Sequence, residues 1–181
     1  MPEPVRLYLT GPAGSGKSEV ARHLVERHGL YCISLADFCR QEGLRLSWPE
    51  DRRHLQAAGD RLRGTDAATL ARLALETPVP TAAAGVVVVG VRLPEEAHAL
   101  RWAGYLGVGV TATEWTRAHR IWIRGETWPV PARPTEWESA QVRIDYVLPN
   151  EGYDLPLLSV RVGRLLRWAR AHGTDSTMHD W

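Results

Sequence analysis

Short apolar runs alternate with longer amphipathic stretches along the chain, and this alternation sets the expected elements. Residues 5–10, Val-Arg-Leu-Tyr-Leu-Thr, read as a short strand. A glycine-rich turn follows. Residues 17–28 then read as a helix, with Val20, Ala21, Leu24 and Val25 on one stripe and Gly29 as its stop. Tyr31 to Ser34 is a second strand. A polar helical region from about 36 to 76 breaks near Ser47-Trp48-Pro49 and near Gly64-Thr65-Asp66. The pattern predicts Ser47 as N-cap of the middle helix, with Pro49 early and Glu50 and Asp51 in its first turn. Thr65 or Asp66 can cap the next. Val86 to Val91 is almost wholly apolar, as expected of a strand buried on both faces of a parallel sheet. Pro94 opens a helix to about Trp102, which Gly104 ends. Gly107 to Ala112 is a further strand, and Thr113 caps a helix from about 114 to 124. Pro129, Pro131 and Pro134 make 125–135 a loop. A short helix is expected at 135–141, the last strand at Val142 to Leu148 and the last helix at 154–172. The tail 173–181 is expected to fray.

Strands alternating with helices imply an α/β three-layer sandwich around a central parallel sheet of about five strands. At 181 residues and 44% hydrophobic, the chain suits one domain, over 1–172, with a buried core. The Ala/Pro stretch at 77–85 is short enough to be a loop. A net charge of +1 excludes a highly charged disordered chain and gives no general pull towards nucleic acid or anionic membrane. No run approaches the roughly 18 apolar residues of a spanning helix. The opening Met-Pro-Glu-Pro-Val-Arg has no signal-peptide pattern, so the expected location is cytoplasmic. Cys32 and Cys39, seven residues apart, have neither disulfide-scaffold nor paired metal-ligand spacing and are expected to be reduced.

The basic residues change the picture. Of 22, 21 are Arg, and the single Lys is Lys17. It sits in Gly11-Pro12-Ala13-Gly14-Ser15-Gly16-Lys17-Ser18, which fits G-x-x-x-x-G-K-[ST] in full. Glycines let the backbone wrap with N–H groups turned towards phosphate oxygens, and the following helix adds its positive end. The Lys17 ammonium reaches the β- and γ-phosphates and the Ser18 hydroxyl ligates Mg²⁺. The expected fold is therefore of the P-loop NTPase type, with ATP and Mg²⁺ as cofactors. The loop does not name the acceptor. No Asn-Lys-x-Asp base-reading motif follows, and arginine-rich segments do, which favours a small-molecule kinase.

Those segments give a resemblance. Ile33-Ser34-Leu35-Ala36-Asp37, Leu55-Gln56-Ala57-Ala58-Gly59-Asp60-Arg61-Leu62-Arg63, Val91-Arg92-Leu93-Pro94-Glu95-Glu96, the pair Arg117 and Arg120, and Asp145 to Gly152 follow the loop in order. Together they resemble the deoxynucleoside monophosphate kinase-like branch of the P-loop nucleoside monophosphate kinases, with adenylate kinase and dephospho-coenzyme A kinase more distant. The resemblance runs from Leu7 to about Leu166. It implies acceptor-binding helices at about 36–76, a small helical lid at about 113–135, and an approach to the adenine near Asn150. The implied ATP-binding set is Gly11, Ala13, Gly14, Ser15, Gly16, Lys17, Ser18 and Glu19, with Arg117 and Asn150. Catalysis would rest on Lys17, Asp37, Arg92, Arg117 and Arg120, and Mg²⁺ on Ser18 and Asp37. The chain departs from that pattern in three places: no carboxylate in Val88-Val89-Gly90, Glu95 where relatives have Asn, and Phe38 where they have Pro.

The residues carry physical roles of their own. Arg117 and Arg120, three apart, share a helix face and could bracket a transferring phosphoryl group, or form a solvated basic face. Arg92 follows the buried strand, at the sheet edge where open α/β sheets bind ligands; it could hold an acceptor phosphate or pair with Glu95 or Glu96. Arg40, Arg61 and Arg63 are weaker acceptor-side candidates. Asp37 would be a general base for a hydroxyl acceptor, an orienting group for a monophosphate, or a helix N-cap. Trp115, Trp122, Trp128 and Trp137 lie among Arg117, Arg120, Arg124 and Arg133. The seven-residue spacing of Trp115 and Trp122 suggests a packing stripe in the core or lid, or stacking on the base of a mononucleotide, rather than a polynucleotide surface. His23, His28 and His119 are expected on the surface.

The leading expectation is γ-phosphoryl transfer from ATP to a nucleoside monophosphate, by resemblance a deoxynucleotide, in a monomer or homodimer. The alternatives are a hydroxyl acceptor, such as dephospho-coenzyme A or a nucleoside, with Asp37 as base; a catalytically weak ATP-binding module; and a polynucleotide end-kinase.

Overall fold

The computed structural model describes residues 4–126, 141–152 and 155–173. The expected helix at 135–141, Trp128, Arg133, Trp137 and nearly all of the tail lie outside them. The described elements are β1 (Val5–Thr10), α1 (Lys17–His28), β2 (Leu30–Ser34), α2 (Leu35–Arg45), α3 (Arg52–Arg63), α4 (Thr69–Glu76), β3 (Gly85–Val89), α5 (Pro94–Trp102), β4 (Leu106–Thr111), α6 (Glu114–Ile123), β5 (Tyr146–Pro149) and α7 (Leu155–His172).

The sheet has five strands, all parallel, in the order β2-β3-β1-β4-β5. β1 and β3 are its centre, and their registry runs from Val5 opposite Gly85 to Leu9 opposite Val89. β3 is buried throughout, and β1 is buried apart from Arg6, because both faces are covered. Val20, Ala21 and Leu24 of α1 and Leu158, Val162, Leu165 and Leu166 of α7 fill one face. Leu35, Cys39, Ala58, Leu70, Ala71, Ala97 and Leu100, from α2 to α5, fill the other. The three-layer α/β architecture expected from the alternation is present. No helix among the described residues is long and apolar enough to cross a membrane.

Three boundaries differ from the expectation, each for a local reason. Ser47 does not cap the middle helix. It takes φ +55 and closes α2, with the Trp48 N–H on the Gly43 carbonyl at 2.9 Å. Asp51 caps α3 instead, accepting the His54 N–H at 2.9 Å. The third strand ends at Val89 because Gly90 turns at φ +93. The last strand begins at Tyr146 rather than Val142, because Asp145 turns its carboxylate onto the Gly107 N–H at 2.7 Å and onto Arg101.

His23 is a further correction: it is 8% exposed rather than on the surface. Its Nε2 and that of His28 are buried without a hydrogen-bond partner among the described residues, with the two rings 5.8 Å apart. Burial, then Arg27 and Arg22, hold the His23 pKa below its ordinary value. Burial likewise pushes the Cys32 and Cys39 thiols up, so neither is a poised thiolate.

Candidate active site

β1 ends at Thr10 and α1 begins at Lys17, so the six residues between them must reverse direction at the carboxyl edge of the sheet. Gly11 and Gly16 are required here twice over. Their φ values are +137 and +86, which side chains resist. A Cβ on Gly11 would stand 2.2 Å from the Val110 carbonyl oxygen, and one on Gly16 would stand 2.2 Å from Asn150 Nδ2. No side chain caps the start of α1, which leaves its first N–H groups to an anion. Lys17 folds back over the loop, its Nζ donating to the carbonyls of Gly11 at 2.7 Å and Pro12 at 3.0 Å. Ser18 is exposed on the first turn, while Ser15 is fully buried. Glu19 pairs with Arg22 along α1, away from the loop.

α6 lies against the outside of this loop. Thr113 caps it, as expected, accepting the Thr116 N–H at 3.4 Å. Its buried residues are Thr116, Arg120 and Ile121, so a largely polar face is turned inward. Arg117 Nε donates to the Ala13 carbonyl at 2.8 Å. Arg120, only 9% exposed, donates from Nη1 to Gly14 at 3.2 Å and Ser15 at 3.3 Å, and from Nη2 to Asn150 at 2.9 Å and Gly152 at 2.6 Å, all carbonyls. Asn150 Nδ2 donates to the Ser15 carbonyl at 3.0 Å. Glu151 anchors the start of α6, accepting from the Thr113 N–H at 2.5 Å and the Thr116 hydroxyl at 2.8 Å. Burial pushes the Glu151 carboxyl up, but these hydrogen bonds together outweigh it and hold the group below its ordinary value.

The tryptophan stripe is therefore not core. Trp115 and Trp122 are 75% and 72% exposed, on the side of α6 opposite the loop. They stack on either side of His119, at ring distances of 5.4 and 6.2 Å.

Across the sheet edge, β2 delivers Asp37 to the first turn of α2. Ser34 is the N-cap position of that helix, so Asp37 is not; its exposed carboxylate pairs with Arg40, which also reaches Glu50 at 3.4 Å. Arg92 is exposed just beyond β3, and its backbone N–H donates to Glu96 Oε2 at 2.9 Å. The ion partner of Glu96 is Arg63, whose Nη2 and Nε reach Oε1 at 2.7 and 3.1 Å. Glu96 is fully buried, and its second oxygen also takes the Leu93 N–H at 3.2 Å. Arg61 pairs with Glu42 at 3.0 Å, and Glu42 also pairs with Arg45. The Arg45 hydrogen bond comes first among the causes that bring the Glu42 carboxyl down to about 2. Arg61 and Arg63 are thus occupied in joining α3 to α2 and α5.

Thus Lys17, Ser18, Arg117, Arg120 and Asn150 converge on the glycine-rich loop, while Asp37 and Arg92 stand beyond β2 and β3 at the same sheet edge. Sequence reading named Glu96 only as a possible partner of Arg92 and gave Glu151 no role; the distant partners, Arg63 for Glu96 and Thr113 and Thr116 for Glu151, lie more than 30 residues away. Two grooves, of about 420 and 660 Å³, lie elsewhere: one by Arg6, Gly85 and Tyr105 at the amino edge of the sheet, one between α4 and α5 by Arg72, His98 and Trp102. Among the described residues, no three His, Cys, Asp or Glu side chains cluster as a metal site.

A family model described as an AAA domain matches residues 7–141. The chain belongs to this AAA domain family. The match takes in the loop, both sides of the sheet edge and α6. Solved structures over nearly the whole chain share the fold. TT1252 from Thermus thermophilus is 23% identical, with a TM-score of 0.57, over 93% of this chain and 97% of its own. A shikimate kinase from Bacteroides thetaiotaomicron is 15% identical, with a TM-score of 0.61, over 91% and 97%. A gluconokinase from Sinorhizobium meliloti 1021 is 19% identical, with a TM-score of 0.53, over 93% and 95%. No curated protein matches the chain. These likenesses support an α/β fold of the P-loop kinase type, and not the deoxynucleoside monophosphate kinase branch that the sequence segments resemble.

Proposed function

We propose that the chain is an ATP-dependent phosphotransferase whose acceptor is a hydroxyl on a small, anionic molecule. The observation that carries the reading is the loop at the carboxyl end of β1, with Lys17 folded over it and the uncapped start of α1 behind it. Such a loop binds a polyphosphate through backbone N–H groups, the helix end and one ammonium. Lys17 exchanges its loop carbonyls for β- and γ-phosphate oxygens, and Arg117 adds positive charge from α6.

The likeness to shikimate kinases and a gluconokinase supports a hydroxyl acceptor; shikimate and gluconate are both hydroxy acids. The ion pairs of Arg61 and Arg63 point the same way, because they remove two arginines that an acceptor monophosphate would want. Arg92 suits the acceptor's anionic group, since a guanidinium binds a carboxylate bidentately. Asp37 takes the hydroxyl proton as the γ-phosphoryl group transfers, with Arg40 holding its carboxylate. Ser18 and Asp37 are oxygen donors of the kind Mg²⁺ prefers, and would hold it together with phosphates and water. Bound there, Mg²⁺ neutralises charge on the transferring group.

The test is ADP release across hydroxy acids, polyols, nucleosides and nucleoside monophosphates, followed by Asp37→Asn with the best acceptor. The expected result is stimulation by a hydroxy acceptor and a loss of roughly 100-fold or more in kcat at little-changed KM. Stimulation by monophosphates alone, with Asp37→Asn nearly fully active, would return the acceptor to the nucleotide class.

A further inference from the structure

Five consecutive carbonyls of the loop, from Gly11 to Ser15, each accept a side-chain donor. Lys17 takes Gly11 and Pro12, Arg117 takes Ala13, Arg120 takes Gly14 and Ser15, and Asn150 also takes Ser15. A trans peptide is planar, with its C=O and the next N–H pointing in opposite directions. Fixing a carbonyl on the outside therefore fixes the following N–H on the inside. The Ala13 and Ser15 carbonyls, held by Arg117, Arg120 and Asn150, turn the N–H groups of Gly14 and Gly16 to the opposite side. The N–H of Ser15 instead turns to the Pro12 carbonyl at 3.2 Å.

We propose that Arg120, seconded by Asn150, is a positioning residue that pre-sets the phosphate loop from behind and does not itself bind the transferring phosphoryl group. This rests on the phosphotransferase reading of the same loop. A loop with glycines at 11, 14 and 16 has many alternative peptide orientations, and a flipped peptide would present a carbonyl oxygen to phosphate. Arg120 removes those alternatives before nucleotide arrives, so binding need not supply the ordering. Burial and geometry separate this role from a lid role. Arg120 is 9% exposed, and its two terminal nitrogens are spread between the loop and the Asn150–Gly152 turn. Only a planar fork bridges two segments in this way; a lysine ammonium, a single point of charge, does not. Asn150 shares the Ser15 carbonyl and fills the space that a Gly16 side chain would take.

The test uses the full chain and inorganic tripolyphosphate, which has no base or sugar. Affinity is measured by calorimetry for wild type, Arg120→Lys, Arg120→Met, Asn150→Ala and Arg120→Met/Asn150→Ala. Amide hydrogen exchange over residues 11–16 is measured in the same proteins without ligand. The expected results are a loss of roughly tenfold or more in both Arg120 variants, a smaller loss in Asn150→Ala, and a double variant within about twofold of Arg120→Met because the two act through one loop. Exchange should speed up at 11–16 while the β1 and β3 amides stay protected. Full affinity in Arg120→Lys, multiplying losses in the double variant, or unchanged loop exchange would each overturn the proposal. If Arg120→Met does not fold, Asn150→Ala decides: faster exchange at 11–16 supports it and unchanged exchange overturns it. A wild-type protein that binds neither tripolyphosphate nor ATP would instead overturn the phosphotransferase reading beneath it.

Discussion

His23 shows how much one side chain can depend on what packs over it. In the folded chain it is buried beside Arg22 and Arg27, with His28 and Arg170 close by on the same side, so its neutral form is favoured. Its folded pKa lies below the ordinary 6.5, which fixes the sign of its effect. Above about pH 6.5 both states are neutral and stability is unaffected. As pH falls below that value, the unfolded chain takes the proton first and stability declines until the folded value is passed. A thermal-melt series should therefore be flat from about pH 7 to 8 and fall towards pH 5. His23→Leu should flatten the fall; an unchanged slope would contradict this burial. A histidine five residues from another on a helix gave no sign of it. The loop residues were different. Gly11, Gly16 and Lys17 were legible because their chemistry is local: positive φ, close backbone approach and one ammonium.

At the scale of elements, α6 shows where such reading stops. The spacing of Trp115 and Trp122 defined a stripe, but a period does not say which face turns inward. The helix buries Thr116 and Arg120 instead, because loop carbonyls and Glu151 satisfy them there. Helix ends were similarly divided. Ser47 was the expected cap, with Asp51 in the first turn; the cap is Asp51, whose carboxylate reaches the His54 N–H. The join between α3 and α5 was invisible, since Arg63 and Glu96 lie 33 residues apart. It fixes the segment that carries Arg92, so it has a measurable consequence. Removing one partner leaves the other charge buried. Arg63→Met should destabilise the protein by on the order of 3 kcal/mol in urea unfolding. A cost near zero would mean that Glu96 is satisfied by the Arg92 and Leu93 N–H groups alone.

At the scale of the whole molecule, the order β2-β3-β1-β4-β5 brings the ends of β1, β2 and β3 to one edge. The loop, Asp37 and Arg92 gather there from three separate sequence segments. The layered fold and this edge followed from the strand–helix alternation. The choice among kinase branches did not follow, because acceptor identity lies in pocket shape rather than in short motifs. The proposed function has this edge move a phosphoryl group to an acceptor rather than to water. The most direct test is ³¹P NMR of ATP, Mg²⁺ and the best acceptor, with Lys17→Ala alongside. A new phosphate-ester resonance should grow in step with ADP, with little free phosphate, and neither change should occur with Lys17→Ala. Free phosphate alone, or turnover unaffected by Lys17→Ala, would contradict it.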